Sequence, residues 1–236
     1  RSYDANNSTS GTVPTLQMQN SGTAITVQSN SGTLARTGYT FGGWNTASNG
    51  AGTNYSAGTG TFSLAADTTL YAKWSANTYS VTYNGNSNTG GTAPSNGTAT
   101  YNSTFTVASN SGSLVRTGYT FDGWNTAADG SGTNYAAGTG SFTFLDTATK
   151  TLYAKWTANP YTVTYNGNSN TGGTVPSNGT AMYNSTFTVA SNTGSLVRTG
   201  YTFGGWNTAS NGAGTNYSAG TGTFSLTADT TLYAKW

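Results

Sequence analysis

The chain contains no histidine, no cysteine and no glutamate. Histidine and glutamate are the commonest general bases, and neither is here to serve. Without cysteine there is no disulfide framework, no thiol nucleophile and no thiolate metal site. Small secreted domains often rely on disulfides, so this absence favours a bacterial over an animal extracellular protein. Carboxylates are limited to Asp4, Asp67, Asp122, Asp129, Asp146 and Asp229.

Charge is scarce as well. Charged residues make up 6% of the chain, against roughly 25% in an ordinary globular domain. The net charge of +2 is dispersed, whereas a nucleic-acid surface needs clustered Lys and Arg. Aromatic rings could stack on bases, but no basic groove accompanies them, so no nucleic-acid partner is expected. No apolar run approaches the ~18 residues of a membrane span, so direct membrane insertion is not expected. No secretory leader opens the chain. The expectation is a piece of a longer protein, its signal and anchor lying outside it.

Thr (49), Gly (33), Ser (27) and Asn (26) fill 135 of the 236 positions. A flexible linker could have that composition, but linkers lack aromatics. Here 16 Tyr, 9 Phe and 6 Trp recur at regular places. Each buried ring removes a large apolar area from water. Small ordered modules with polar, uncharged surfaces follow from that combination.

The recurrence is a tandem repeat. "LYAKW" ends at Trp74, Trp156 and Trp236, and a Gly-Trp pair supplies Trp44, Trp124 and Trp206. The spacings are 82 then 80 for the first motif and 80 then 82 for the second, so two extra residues fall between Trp124 and Trp156. Three modules result: 1–74, 75–156 and 157–236. The first has an altered opening strand, with Tyr3 aligned to Tyr83 and Tyr165 but no counterpart of Tyr79 or Val81; fraying is expected there. The links "SANT" (75–78) and "TANP" (157–160) are short, and Pro160 stiffens the second. A semi-rigid, elongated string of modules is expected.

Each module reads as mainly β. "YSVTY", "STFTVAS", "TGYTF", "GSFTF" and "TLYAKW" alternate and are rich in aromatic and β-branched residues. Asn-Gly steps at Asn84, Asn96, Asn166 and Asn178 suggest turns with φ > 0. "NSGSLVRTG" (110–118) could form at most one helical turn.

The phrase "RTGYTFGGWNTA" from Arg36 recurs from Arg116 and Arg198, with Asp122 for the first glycine in the middle copy. By the two-residue period Tyr39 and Phe41 share a face, and Trp44 falls out of phase. A bulge at the second glycine (Gly43, Gly123, Gly205) restores the phase. Tyr, Phe and Trp are then all expected inside; the alternative is a flat aromatic platform for a sugar. Arg36, Arg116 and Arg198 have no evident carboxylate partner. Each either stacks on an aromatic ring or bonds carbonyls, or else contacts an anion on a glycan or wall polymer. In "LYAKW", Leu70, Ala72 and Trp74 face the core, and the Lys stem lies over apolar surface. Tyr71, Tyr153 and Tyr233 face outward as candidate contacts, or as half-buried cross-strand pairs.

No catalytic constellation repeats. An Asp-only pair could in form hydrolyse a glycoside, but the aspartates occupy different positions in the three modules. "NTAADGSGTNY" (125–135) resembles an oxygen-rich calcium loop, yet its copies carry Asn49 and Asn211 where Asp129 stands. An Asn/Gly turn accounts for all three. "GNSNTGG" lacks the lysine of a phosphate loop. A Lys–Asn crosslink needs a buried acid, and Asp67 beside Lys73 has no aligned Asp in the second module. No cofactor and no enzymatic activity are expected.

The pattern "GYTFxGW…GxxY…LYAKW" (Gly38, Tyr39, Phe41, Gly43, Trp44, Tyr55, Leu70, Tyr71, Ala72 and Trp74, and their equivalents) resembles the Listeria–Bacteroides repeat, also called the internalin B-repeat. The resemblance spans all three modules. It implies a β-grasp-like module with little helix, and a stalk or accessory adhesive role on a bacterial surface. It carries over no catalytic residue. The expectation is a non-catalytic spacer of a cell-surface or secreted adhesin-like protein, monomeric as a fragment. The rival is a repeat that binds a surface glycan or a host or matrix protein through avidity.

Overall fold

A computed structural model describes residues 1–63 and 65–236. Among the described residues the chain is all β, with short strands, turns and no helix. The segment 110–118 forms a turn with Ser113 at φ 53°, followed by an isolated bridge between Gly90 and Val115. The single helical turn considered there does not form.

Each repeat folds as one mixed sheet and one two-stranded ribbon. In the first repeat the sheet order is Ser2–Asp4, Thr69–Ala76, Tyr39–Asn45, Asn54–Tyr55. The second and third add a fifth strand beside the opening one, Gly97–Thr100 and Gly179–Met182. The opening and closing strands of a repeat lie side by side and parallel, in the register Tyr3↔Leu70, Tyr83↔Leu152 and Tyr165↔Leu232. A parallel pair needs a long crossover; here the whole repeat supplies it without a helix. The ribbon pairs Ile25 with Phe62, Phe105 with Phe142 and Phe187 with Phe224.

Repeats and compact units do not coincide. One unit comprises Arg1–Asn84, Pro94–Ser111 and Trp124–Tyr153; the other comprises Gly85–Ala93, Gly112–Gly123 and Ala154–Trp236. The middle repeat therefore contributes to both, and each junction between repeats lies inside one unit.

The core is aromatic and aliphatic, as the composition demanded. Trp44, Leu70 and Ala72 are fully buried, with Val27, Leu34 and Tyr3 around them. In the third repeat Trp206, Leu232, Ala234, Val163 and Leu226 fill the same role. Trp74 and Trp236, expected wholly inside, are half-buried at the edge of these clusters. Each indole N–H leaves the core to reach a carbonyl, Ala5 at 3.2 Å and Gly167 at 3.1 Å.

The bulge falls where the alternation required it. The register passes from Phe41↔Trp74 to Trp44↔Ala72, three steps on one strand against two on the other. Gly43, Gly123 and Gly205 carry φ of 98°, 90° and 99°. A Cβ on Gly43 would sit 2.5 Å from the Tyr55 carbonyl oxygen, whereas one on Gly42 meets nothing closer than 3.7 Å. That open space explains why aspartate is accepted at position 122.

Two expectations need correction. None of the four Asn-Gly steps places its glycine at positive φ. The left-handed residues come just after the strand, at Asn6, Asn86 and Asn168. There the asparagine side chain reaches across to the closing strand and donates to Ala72, Ala154 and Ala234 carbonyls at 2.8–2.9 Å. The short links between repeats are themselves strand. Strands Thr69–Ala76 and Thr78–Asn84 are separated by Asn77 alone, and Lys150–Ala158 and Pro160–Asn166 by Asn159 alone. Pro160 opens its strand, where its missing N–H is tolerated. Tyr39, expected in the core of its own repeat, packs elsewhere, as described below.

The opening strand of the first repeat is shortened, three residues against seven in the others. Arg1 stands at the position of the buried Val81 and Val163. Its guanidinium is held by the Tyr3 hydroxyl and the Thr26 carbonyl and lies over the Tyr3 and Phe62 rings. Burial holds its pKa below the usual arginine value.

Candidate functional site

The three arginines each stack on the tyrosine three residues ahead. The guanidinium carbons lie 4.1, 4.2 and 4.3 Å from the rings of Tyr39, Tyr119 and Tyr201. A tight turn sets the pair, with the Tyr39, Tyr119 and Tyr201 N–H groups donating to the arginine carbonyls at 2.9–3.0 Å. Arg36, Arg116 and Arg198 are half-buried. Stacking of this kind satisfies a cation without a carboxylate.

The tyrosine beneath the arginine serves the next repeat. Tyr39 meets Tyr101 edge-on, with ring centroids 5.4 Å apart, and Tyr119 meets Tyr183 at 5.5 Å. Tyr101 lies against Gly38, where a Cβ would be 2.2 Å from its ring; Tyr183 lies against Gly118 in the same way. Asn77 completes the junction. Its N–H donates to the Gly38 carbonyl and its carbonyl accepts the Tyr101 N–H, both at 2.9 Å. Its side-chain oxygen accepts the Thr40 hydroxyl at 2.6 Å. Asn159 repeats all three bonds with Gly118, Tyr183 and Thr120. These residues were not singled out from sequence. The signal was present, since "TYNS" and "MYNS" stand in the later repeats where the first has Ser21 and Gly22.

Tyr71, Tyr153 and Tyr233 sit on the closing strand and are half-buried. Tyr71 pairs with Asp4 on one side and Asn45 on the other, and Tyr233 with Asn166 and Asn207. Tyr153 borders a shallow open depression with Thr126, Asp146 and Lys150. The arginines thus take the "GYTF" tyrosines as ring partners and not these, and the candidates form two separate sets.

The loop that resembled a calcium site is organised by an amide. Asn125 is fully buried. Its Nδ2 donates to the Gly130 and Gly132 carbonyls at 3.1 Å and to Asn134 Oδ1 at 2.6 Å. Its Oδ1 accepts from the Ala127 and Gly132 N–H groups. Asn45 and Asn207 do the same in their repeats. The converging oxygens therefore address an amide nitrogen. Asp129 points away and binds the Ser131 hydroxyl and N–H, which lower its pKa.

Comparison with known proteins agrees with this repeat architecture. The family model of the Listeria-Bacteroides repeat domain matches residues 2–73, 79–155 and 161–235. Two proteins of Evansella cellulosilytica are similar. One, named as a Gly-rich membrane protein, is 41% identical over 171 residues, which is 70% of this chain and 19% of the relative. The other, named as a membrane protein, is 46% identical over 92 residues, covering 39% of this chain and 13% of the relative. The chain thus spans less than a fifth of either relative's length.

Proposed function

The chain belongs to the Listeria-Bacteroides repeat domain family, and from that premise we propose that it is a non-catalytic, β-grasp-like stalk segment. It would project a distal domain of an adhesin-like bacterial protein from the cell surface. The observation that carries this reading is how the rings are used. Tyr39 and Tyr119 are joined to rings of the following repeat, and Phe41 and Trp44 to rings of their own. Strands run from one repeat into the next with one residue between them. Such junctions resist bending and suit a spacer. The lack of histidine, cysteine and glutamate fits a role without chemistry. The names of the relatives support an association with the cell envelope, and the extracellular side is our placement. Small-angle scattering tests the reading. An elongated particle is expected, and a compact globule overturns it.

A further inference from the structure

The two internal junctions define what an acceptor looks like. It consists of an arginine stacked on a tyrosine, a glycine at φ 78° that leaves room for an incoming ring, and a Thr-Phe pair that extends a strand. What it receives is an Ala-Asn step and, further on, the Tyr-Asn turn that joins Gly97–Thr100 or Gly179–Met182 of the sheet to Thr104–Thr106 or Thr186–Thr188 of the ribbon. In that turn Asn102 and Asn184 take φ 60°, and their N–H groups bond Phe144 and Leu226 carbonyls at 2.7 Å.

The third repeat carries the same acceptor in a different state. Arg198 stacks on Tyr201 at 4.3 Å, and Gly200 has φ 80°. A Cβ on Gly200 would meet nothing within 4 Å, and Tyr201 is 57% exposed. Thr202 and Phe203 belong to no strand, although Gly204 and Gly205 still bond Lys235. Arginine, glycine and tyrosine are thus pre-set, and the side that faces a neighbour at the other two junctions is open.

We propose that Arg198–Phe203 is a docking edge for another repeat of this family, one carrying Ala-Asn ahead of its first strand and Tyr-Asn in the turn that leads into its ribbon. The asparagine of that repeat bridges the Gly200 carbonyl and the Thr202 hydroxyl. Its tyrosine lies flat on Gly200 and edge-on to Tyr201. The edge is selective. Only a residue without Cβ lets the ring approach, and only a ring fills the space. The first repeat of this chain has Ser21 and Gly22 in the turn before its ribbon, so a second copy does not satisfy the edge head to tail. Order along an array would then be written in two turn residues. This holds whether or not the array acts as a spacer.

The test places 3-fluorotyrosine at position 201 and reads its fluorine resonance together with amide exchange at Thr202 and Phe203. Three chains are compared: the chain as it stands, the chain extended after Trp236 by the sequence of residues 75–156, and the same extension bearing Tyr101→Ser and Asn102→Gly. Indole N–H signals report that each added repeat is folded. With the tyrosine-bearing repeat, the resonance moves to that of the same label at Tyr119, and the two amides exchange roughly tenfold more slowly. With the Ser-Gly version the resonance stays put. The proposal is overturned if a folded tyrosine-bearing repeat leaves the resonance unmoved, or if the Ser-Gly repeat moves it equally.

Discussion

Tyr83 and Trp124 hold one residue from both ends. The Tyr83 hydroxyl accepts the Ala108 N–H, and the Trp124 indole N–H donates to the Ala108 carbonyl, each at 2.8 Å. The rings meet at 61° with centroids 4.7 Å apart. Tyr3 and Trp44 grip Gln28 in this way, and Tyr165 and Trp206 grip Ala190. The clamp fastens the ribbon to the sheet and pairs the indole N–H, the tyrosine oxygen and both backbone groups of the gripped residue. Replacing Tyr165 by Phe keeps the ring and strands the Ala190 N–H. A loss of about 1–3 kcal/mol is expected in urea unfolding, and a loss under ~0.5 kcal/mol would show that the clamp adds nothing.

Much of this was legible in the sequence, because three copies can be aligned with one another. The Asp122 substitution located the bulge at the next glycine, and strand alternation placed Leu70 and Ala72 inside. The clamp was not legible, since Tyr83 and Ala108 are 25 residues apart and nothing local pairs them. The junction was not legible for a related reason. Tyr39 alternates like a core residue, but its buried side faces the following repeat, and period alone does not say which neighbour covers a face. At Asn84 and Asn166 the left-handed position falls one residue past the Asn-Gly step, on an asparagine whose side chain bonds across to the closing strand, and at Asn96 and Asn178 the glycine opens a strand.

The bulge predicts a contrast between adjacent glycines. Gly43→Ala meets both a left-handed φ and the Tyr55 carbonyl. Residues in such conformations cost of order 1–3 kcal/mol, and the clash adds to that. Gly42→Asp copies the middle repeat and is expected to change stability by under ~0.5 kcal/mol. Denaturant midpoints of the two variants should separate clearly; equal midpoints would refute the assignment.

Stability should respond to alkali and hardly to neutral pH. Burial raises the pKa of Tyr3, Tyr83 and Tyr165 above the ordinary tyrosine value, against the lowering effect of the N–H donors. Above about pH 10 the folded chain then binds more protons than the unfolded chain, so stability falls as pH rises through that range. Below it these groups contribute a constant amount. The chain has no histidine, the side-chain type whose ordinary pKa lies in the neutral range. The melting temperature should be flat there and drop beyond pH 10, and ultraviolet titration should find a late-ionising tyrosine class.

The first junction can be loosened by one residue. Tyr101→Ser removes the edge-on ring and copies Ser21 of the first repeat. Aromatic pairs of this kind contribute about 0.5–1.5 kcal/mol. The Asn77 amide, which bonds Gly38 across the junction, should exchange several-fold to roughly tenfold faster, while amides around Trp206 keep their protection. Equal acceleration at both places would mean the variant weakens the whole fold and not the junction.

The buried asparagine predicts the largest single loss. Asn207 satisfies two carbonyls, one neighbouring amide oxygen and two N–H groups. Asn207→Ala leaves all five without their partner in a loop that has no other side chain to replace it. Each stranded buried group costs about 1–3 kcal/mol where water cannot reach it. Loop edges admit some water, so a total of roughly 3–5 kcal/mol is expected. Asn207→Asp separates hydrogen bonding from shape. It keeps the size and the two accepted bonds, but turns a carboxylate toward the Gly212 and Gly214 carbonyls, so it should be little better than alanine at pH 7. Lowering the pH toward 4 protonates that carboxyl and supplies one donor, which should recover part of the loss relative to the parent chain. If aspartate matched asparagine at pH 7, the loop would owe its shape to its turns and not to the amide at its centre.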